Sequence, residues 1–317
     1  MTAQKQFLVY LDHRVLSELR KHKKMQPQIS EYLQQLTGLG AVFVVSHTSL
    51  LECYDSGRPL EFAEVLEQFA VKLLAPVPGA PVQRSLKIFD PVSILLGEES
   101  STLSGLKALE TFLQPMQYTS GWLKNTDQTT VQGSVVLELD NEISNLMPEI
   151  PRALRDNLSA AHENFLKIDL DSVLQESLTD MAALRKNLPA NYAQLDELSP
   201  IEAVDMIIDG LPPDSMEIIR RSFPKDFWSE KPKAGDLVGF SFLLFNCGLT
   251  REPKIKKGNT RSKQYYKGQY RDCCHIEEAS YCQVLLTFDS NAKRLADAVY
   301  SYAGIETQVG LISHDQN

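Results

Sequence analysis

Four acidic residues stand out by where they fall: Asp12, Glu52, Asp272 and Asp289. Asp12 directly follows the β-rich run FLVYL, and Asp289 directly follows QVLLTF. Glu52 lies a few residues into a helix-like run behind the strand-like AVFVV, and Asp272 heads the helix-like run before QVLLTF. In an α/β chain these junctions share the carboxyl edge of a parallel sheet, the edge at which such folds place their ligands. Carboxylates gathered there repel one another unless a cation lies between them. Divalent metal held by carboxylates suits phosphodiester hydrolysis, because it activates water and neutralises an anionic ester.

The elements that must position these residues can be read from hydrophobic pattern. Short apolar runs bounded by turn signals predict buried strands at Phe7–Leu11, Ala41–Val45, Val71–Leu74, Gln283–Phe288 and Thr307–Ile312. Helical spacing predicts helices over 13–24, Ile29–Leu36, from Leu50 after a polar turn at Ser46–Ser49, Phe62–Phe69 and Asn291–Tyr302. The proline-rich Pro76–Pro81 is the first plausible domain boundary. Beyond that boundary the chain reads as helical almost throughout: Ser104–Phe112, Val135–Met147, Ile150–Ile168, Ser172–Lys186 and Pro200–Ile207. Leu237–Leu249 then reads as a buried helix, Lys254–Lys267 as a long surface loop, and Asp272–Tyr281 as a helix. The expected class is α/β, with a parallel-sheet core built from residues 1–81 and 235–317 and an acidic α-helical insertion at 82–234.

Composition narrows the classes. The 317 residues are 43% apolar, enough for a packed core. No apolar run of membrane-spanning length appears, and the amino terminus lacks the pattern of a signal peptide. The five cysteines are odd in number and have no framework spacing. A cytoplasmic location is therefore expected, with no membrane partner. The net charge of −9 is unevenly spread. Residues 131–220 carry 17 acidic and 6 basic side chains, a net of −11, whereas residues 251–271 carry 8 basic and 1 acidic, a net of +7. That basic stretch mixes Lys254, Lys256, Lys257, Arg261, Lys263, Lys267 and Arg271 with Tyr265, Tyr266 and Tyr270. Cations neutralise phosphates and tyrosines stack on exposed bases, so a single strand or loop of nucleic acid is the partner this pattern suits, RNA before DNA.

Each acidic residue also has a local explanation. Asp12, Asp272 and Asp289 can cap helices, and Ser49-x-x-Glu52 fits a capping box. Capping accounts for each position alone but not for the order Asp, Glu, Asp, Asp. Cys273, Cys274, His275 and Cys282 lack a CxxC pair and read as helix residues rather than zinc ligands. His13 and His47 flank the carboxylates, where a lone loop histidine usually does no chemistry. No phosphate-binding or dinucleotide-binding glycine motif and no nucleophile elbow is present.

The order resembles that of the PIN-domain nucleases. The resemblance rests on VYLDHRVLSEL, VVSHTSLLE, RDCCHIEEASYC and LLTFDSNAKRLA, and covers roughly residues 5–75 and 236–312. It departs from the family in the long insertion, since a typical member is under half this length. The resemblance implies a three-layer parallel-sheet core and Mg²⁺ or Mn²⁺ as cofactor. Asp12, Glu52 and Asp272 would ligate metal, and Asp289 would bind it or orient water. It further implies cleavage leaving a 5′-phosphate and a 3′-hydroxyl. Asp236 is an alternate third carboxylate, Asp55 could assist from one turn after Glu52, and Thr287 could support Asp289 through its hydroxyl. Such an enzyme could be a toxin, a defence effector or a processing nuclease, and the helical insertion could dock a protein regulator or a second copy. Two other readings remain open: a catalytically silent binding module that works through the insertion, and a phosphatase acting on small phosphates.

Overall fold

The computed structural model describes residues 6–20, 26–77, 80–96, 103, 144, 195, 197–210, 231–250 and 262–312. Six strands form one sheet: β1 (Phe7–Leu11), β2 (Ala41–Val45), β3 (Lys72–Val77), β4 (Ala80–Lys87), β5 (Val284–Thr287) and β6 (Gln308–Leu311), in the order β4-β3-β2-β1-β5-β6. All neighbours pair in parallel except β3 and β4. The chain builds outward from β1 through β2 and β3, then returns to place β5 on the other flank of β1. The β1/β5 boundary is thus the topological switch point, where an open α/β sheet leaves a crevice beyond its carboxyl ends.

The strands alternate between two cores, as a sheet covered on both faces requires. Val9, Leu11, Phe43, Val45, Leu73 and Leu286 face one layer, with α1 (His13–Arg20), α2 (Gln26–Gly38), α3 (His47–Asp55), α4 (Pro59–Gln68) and α5 (Pro91–Leu96). Tyr10, Val44, Leu74 and Leu285 face the other, with α6 (Pro200–Asp209), α7 (Leu237–Asn246), α8 (Ser262–Ala279) and α9 (Ser290–Ala303). Asp12 and Thr287 continue the phase of Tyr10 and Leu285, so they point toward α8. Helix α7 is apolar nearly all round, as a helix buried in the core should be; Phe240 and Phe245 are fully enclosed.

Three expectations change. Pro76–Pro81 does not end the sheet: β3 and β4 form a hairpin there, with a register shift at Pro76/Val77. Proline is tolerated because β4 is an edge strand and Pro76 lies beyond the β2 pairing. The core sheet therefore extends to Lys87, past the expected boundary at 81. Arg84 of β4 clamps Glu278 of α8 through two hydrogen bonds, at 2.7 and 3.0 Å, and stacks over Tyr281. Second, the basic segment is not all loop. Residues 262–267 open the 18-residue α8, because Tyr266, Gln269, Cys273 and Ile276 recur at helical spacing and are all buried. Third, Asp272 therefore lies in mid-helix rather than at a helix start. Of the helices expected in the insertion, Pro200–Ile207 is present within α6; the other four lie outside the described residues apart from Ser144. Among the described residues no helix is long and apolar enough to cross a membrane.

Replacing Phe240 with alanine should cost about 3–5 kcal/mol, the range for emptying a fully buried aromatic site. Urea unfolding should show a lower midpoint with an unchanged slope, and a change of under about 1 kcal/mol would show that α7 is not integral to the core.

Candidate functional site

At the switch point β1 and β5 end side by side, and their last side chains meet. Thr287 Oγ1 donates to Asp12 Oδ2 at 2.6 Å, a buried bond between residues 275 apart in sequence. Thr287 Oγ1 also accepts from the backbone N–H of Asp289 at 3.0 Å. Asp12 Oδ1 accepts weakly from the backbone N–H of Arg14 at 3.3 Å, which is its capping contribution to α1. A cap needs only one oxygen, and the other is aimed along the sheet edge. Asp12 is 5% exposed.

Glu52 reaches the same place from β2. Helix α3 starts at His47 with Ser46 as N-cap, and Ser46 N donates to Ser49 Oγ at 3.4 Å. The helix thus begins three residues earlier than Leu50, and Ser49 rather than Glu52 takes the reciprocal capping position. Glu52 Oε2 accepts instead from His275 Nε2 at 2.7 Å. Sequence reasoning missed His275 except as a discarded zinc ligand. It is 3% exposed, and its Nε2 is also 4.0 Å from Asp12 Oδ1. Its Nδ1 is 2.7 Å from the Tyr10 hydroxyl, which is in turn 2.7 Å from Ser46 Oγ and 3.1 Å from Ser49 Oγ. The signal available in the sequence was spacing: His275 stands one turn beyond Asp272, the ridge expected to face the carboxyl edge.

Charge couples Glu52 and His275. Burial would push the Glu52 carboxyl up, but the charge and hydrogen bond of His275, with His13 and Arg271 behind them, outweigh it and hold its pKa at about 2. Burial would push His275 down, and Glu52 and Asp12 reverse that, raising it above its ordinary value. When protonated, His275 donates from both nitrogens, and the Tyr10 oxygen then accepts. His13 approaches Glu52 Oε2 to 3.9 Å with its ring tilted against Phe62, and burial lowers its pKa despite the carboxylates. Burial likewise lowers His47.

The other expected residues have these surroundings. Asp289 caps α9, its Oδ1 accepting from the backbone N–H groups of Asn291 and Ala292 at 2.8 and 3.2 Å. Asp272 Oδ2 accepts from Gln269 Nε2 at 3.0 Å, one turn before His275. Asp236 stands at the N-cap of α7, and the backbone N–H groups on either side of it, of Gly235 and Leu237, donate to Glu277. Glu277 lies about 200° around α8 from His275, so Asp236 belongs to the far side of that helix. Asp55 pairs with Arg271 and with Lys267, the latter at 3.3 Å. Tyr266 is 1% exposed, packs on Phe242 and Phe245, and can stack on no base from that position. Arg271 is buried as well, and Tyr265 is half-buried. Lys254, Lys256, Lys257 and Arg261 lie outside the described residues, as does the side chain of Lys263.

Asp12 and Glu52 converge on His275, and among the described residues no three histidine, cysteine, aspartate or glutamate side chains are arranged to hold a metal ion. Helix N–H groups engage Asp289 Oδ1, and Gln269 engages Asp272 Oδ2. Comparison with protein-family models, with curated proteins and with solved structures found no match.

The Glu52–His275 pair makes stability depend on pH in two directions. Glu52 has a depressed folded pKa, so its contribution is full above the ordinary carboxylate value of 4.5 and is lost as pH falls toward about 2. His275 has a raised folded pKa, so its contribution is full below 6.5 and is lost as pH rises through the folded value. Unfolding midpoints measured from about pH 3 to pH 9 should peak between these limits. Glu52→Gln should flatten both limbs, and a variant profile parallel to the native one would contradict the pairing.

Proposed function

We propose that this chain is a metal-dependent endoribonuclease of PIN type that hydrolyses phosphodiesters of single-stranded or structured RNA. The observation that carries the reading is the convergence of Asp12 and Glu52, from two different strand–helix junctions, on one point beside the switch point of a mostly parallel sheet. There His275 Nε2 lies 2.7 Å from Glu52 Oε2 and 4.0 Å from Asp12 Oδ1. Two carboxylate oxygens around one positive centre fit a hard divalent ion that keeps several waters. Asp12 and Glu52 would hold Mg²⁺ or Mn²⁺, which supplies an activated water and neutralises the ester.

The remaining roles belong to the chain itself. Thr287 fixes the rotamer of Asp12, and the Asp289 backbone fixes Thr287. Asp289 acts through the α9 N-terminus, and Asp272 stands in reserve one turn from His275. His275 orients Glu52 and holds a proton at Nε2, with Tyr10 and the two serines fixing its ring. Lys267, half-buried at the rim, is the described part of the basic segment best placed to meet a phosphate.

One observation favours a second reading, a catalytically silent binding module: His275 already occupies the place beside Glu52 that a metal ion would take. The two readings separate cleanly. Purified protein incubated with labelled RNA or single-stranded DNA should cleave RNA with Mn²⁺ and not with EDTA. Asp12→Asn should lower the rate by at least about 100-fold, the scale of losing a directly acting group. Absence of Mn²⁺-dependent cleavage in the native protein, or equal cleavage by Asp12→Asn, would leave the binding module standing.

A further inference from the structure

One turn along α3 from Glu52, and one turn along α8 from His275, stands a second cross-helix contact. Lys267 Nζ and Arg271 Nη2 both point at a single oxygen of Asp55, Oδ2. Arg271 and His275 are four residues apart, as are Lys267 and Arg271, so three basic side chains form one stripe down α8. Glu52 and Asp55, three residues apart, form the facing stripe on α3. Two full cations from a stripe already read as basic thus meet one carboxylate oxygen. The Lys267 and Asp55 side chains keep 30% and 22% of their surface open to solvent, while Arg271 keeps 9%. A fork of guanidinium and ammonium around one oxygen is also the geometry in which proteins hold a phosphate oxygen.

We propose that Asp55 is an internal stand-in for a backbone phosphate: it occupies an anion site made by Arg271 and Lys267 beside the catalytic edge, and substrate must displace it. This rests on the nuclease reading above, because it takes the anion to be the backbone of a single-stranded nucleic acid flanking the scissile bond. Asp55 then weakens binding by competing for both cations, and it keeps the basic stripe ordered while no substrate is present. Displacement is feasible because a diester phosphate brings the same charge as the carboxylate, so the buried Arg271 guanidinium is not left unpaired.

Fluorescence anisotropy of a labelled single-stranded RNA, in EDTA so that nothing is cut, measures this directly. Asp55→Asn should tighten binding about threefold to tenfold at low salt. It should leave the slope of log K against log salt nearly unchanged, because the same phosphate sits on the two cations once Asp55 is displaced. Lys267→Gln changes a side chain with 30% of its surface open to solvent. It should weaken native binding about threefold and erase the gain in the double variant. Unchanged or weaker binding by a folded Asp55→Asn, or no effect of Lys267→Gln, would overturn the proposal. So would a lack of RNA binding by native protein and Asp55→Asn alike. Because cleavage plays no part in the measurement, tightening by Asp55→Asn in a protein that never cuts RNA would retire the nuclease reading and leave the anion site in place.

Discussion

Parallel pairing of β1 with β5 sets Val9–Leu11 against Val284–Leu286 and is the contact on which the rest of the molecule depends. It puts Thr287 beside Asp12, and it brings α8, which leads into β5, across the end of β1. Without it Asp12 would cap α1 and do nothing else. The entropic cost of closing so long a loop grows only with the logarithm of its length, so a large insertion between the halves is thermodynamically tolerable. What must be supplied locally is a strand pair whose side chains are buried on both faces, and Tyr10, Leu11, Leu285 and Leu286 supply it.

Helix α8 works as a beam that serves several neighbours at once. His275 takes Glu52 and Tyr10, Arg271 and Lys267 take Asp55, Glu277 receives the start of α7, and Glu278 is gripped by Arg84 of the edge strand. Successive polar residues point to different partners because each step turns the helix by about 100°. A run such as RDCCHIEEA looks uninformative as a motif, yet every residue in it is aimed by that rotation. Sites built on such braced elements hold their geometry better than sites on loops.

Legibility in the sequence differed from residue to residue. Strand β2 falls where AVFVV predicts it, and β1 where FLVYL does, because short β-branched runs between turn signals have few alternatives. The junction positions of Asp12 and Asp289 follow from the same strands. Which atoms those side chains would touch was not legible. Asp289 is held by helix N–H groups, and Asp272 by a glutamine three residues earlier, which are local competitions that strand order cannot rank. The start of α8 was hidden by composition: KQYYKGQYR looks like a solvated basic loop until Tyr266 and Gln269 are seen to keep phase with Cys273 and Ile276. His275 was hidden because a histidine's value lies in its neighbours, which come from β1, the residue after it, and α3.

The central position of β1 carries a temporal consequence. A ribosome delivers this strand long before β5, so through most of the chain's synthesis β1 is an open edge with an apolar face and unpaired amides. Such edges invite association with other chains, and contacts this distant in sequence form slowly. The nascent amino-terminal half must therefore wait, shielded or sequestered, until the α8–β5 unit arrives to close the sheet. The same late arrival assembles the acidic pair and its histidine, so the chain acquires its candidate site only at the moment its core is complete.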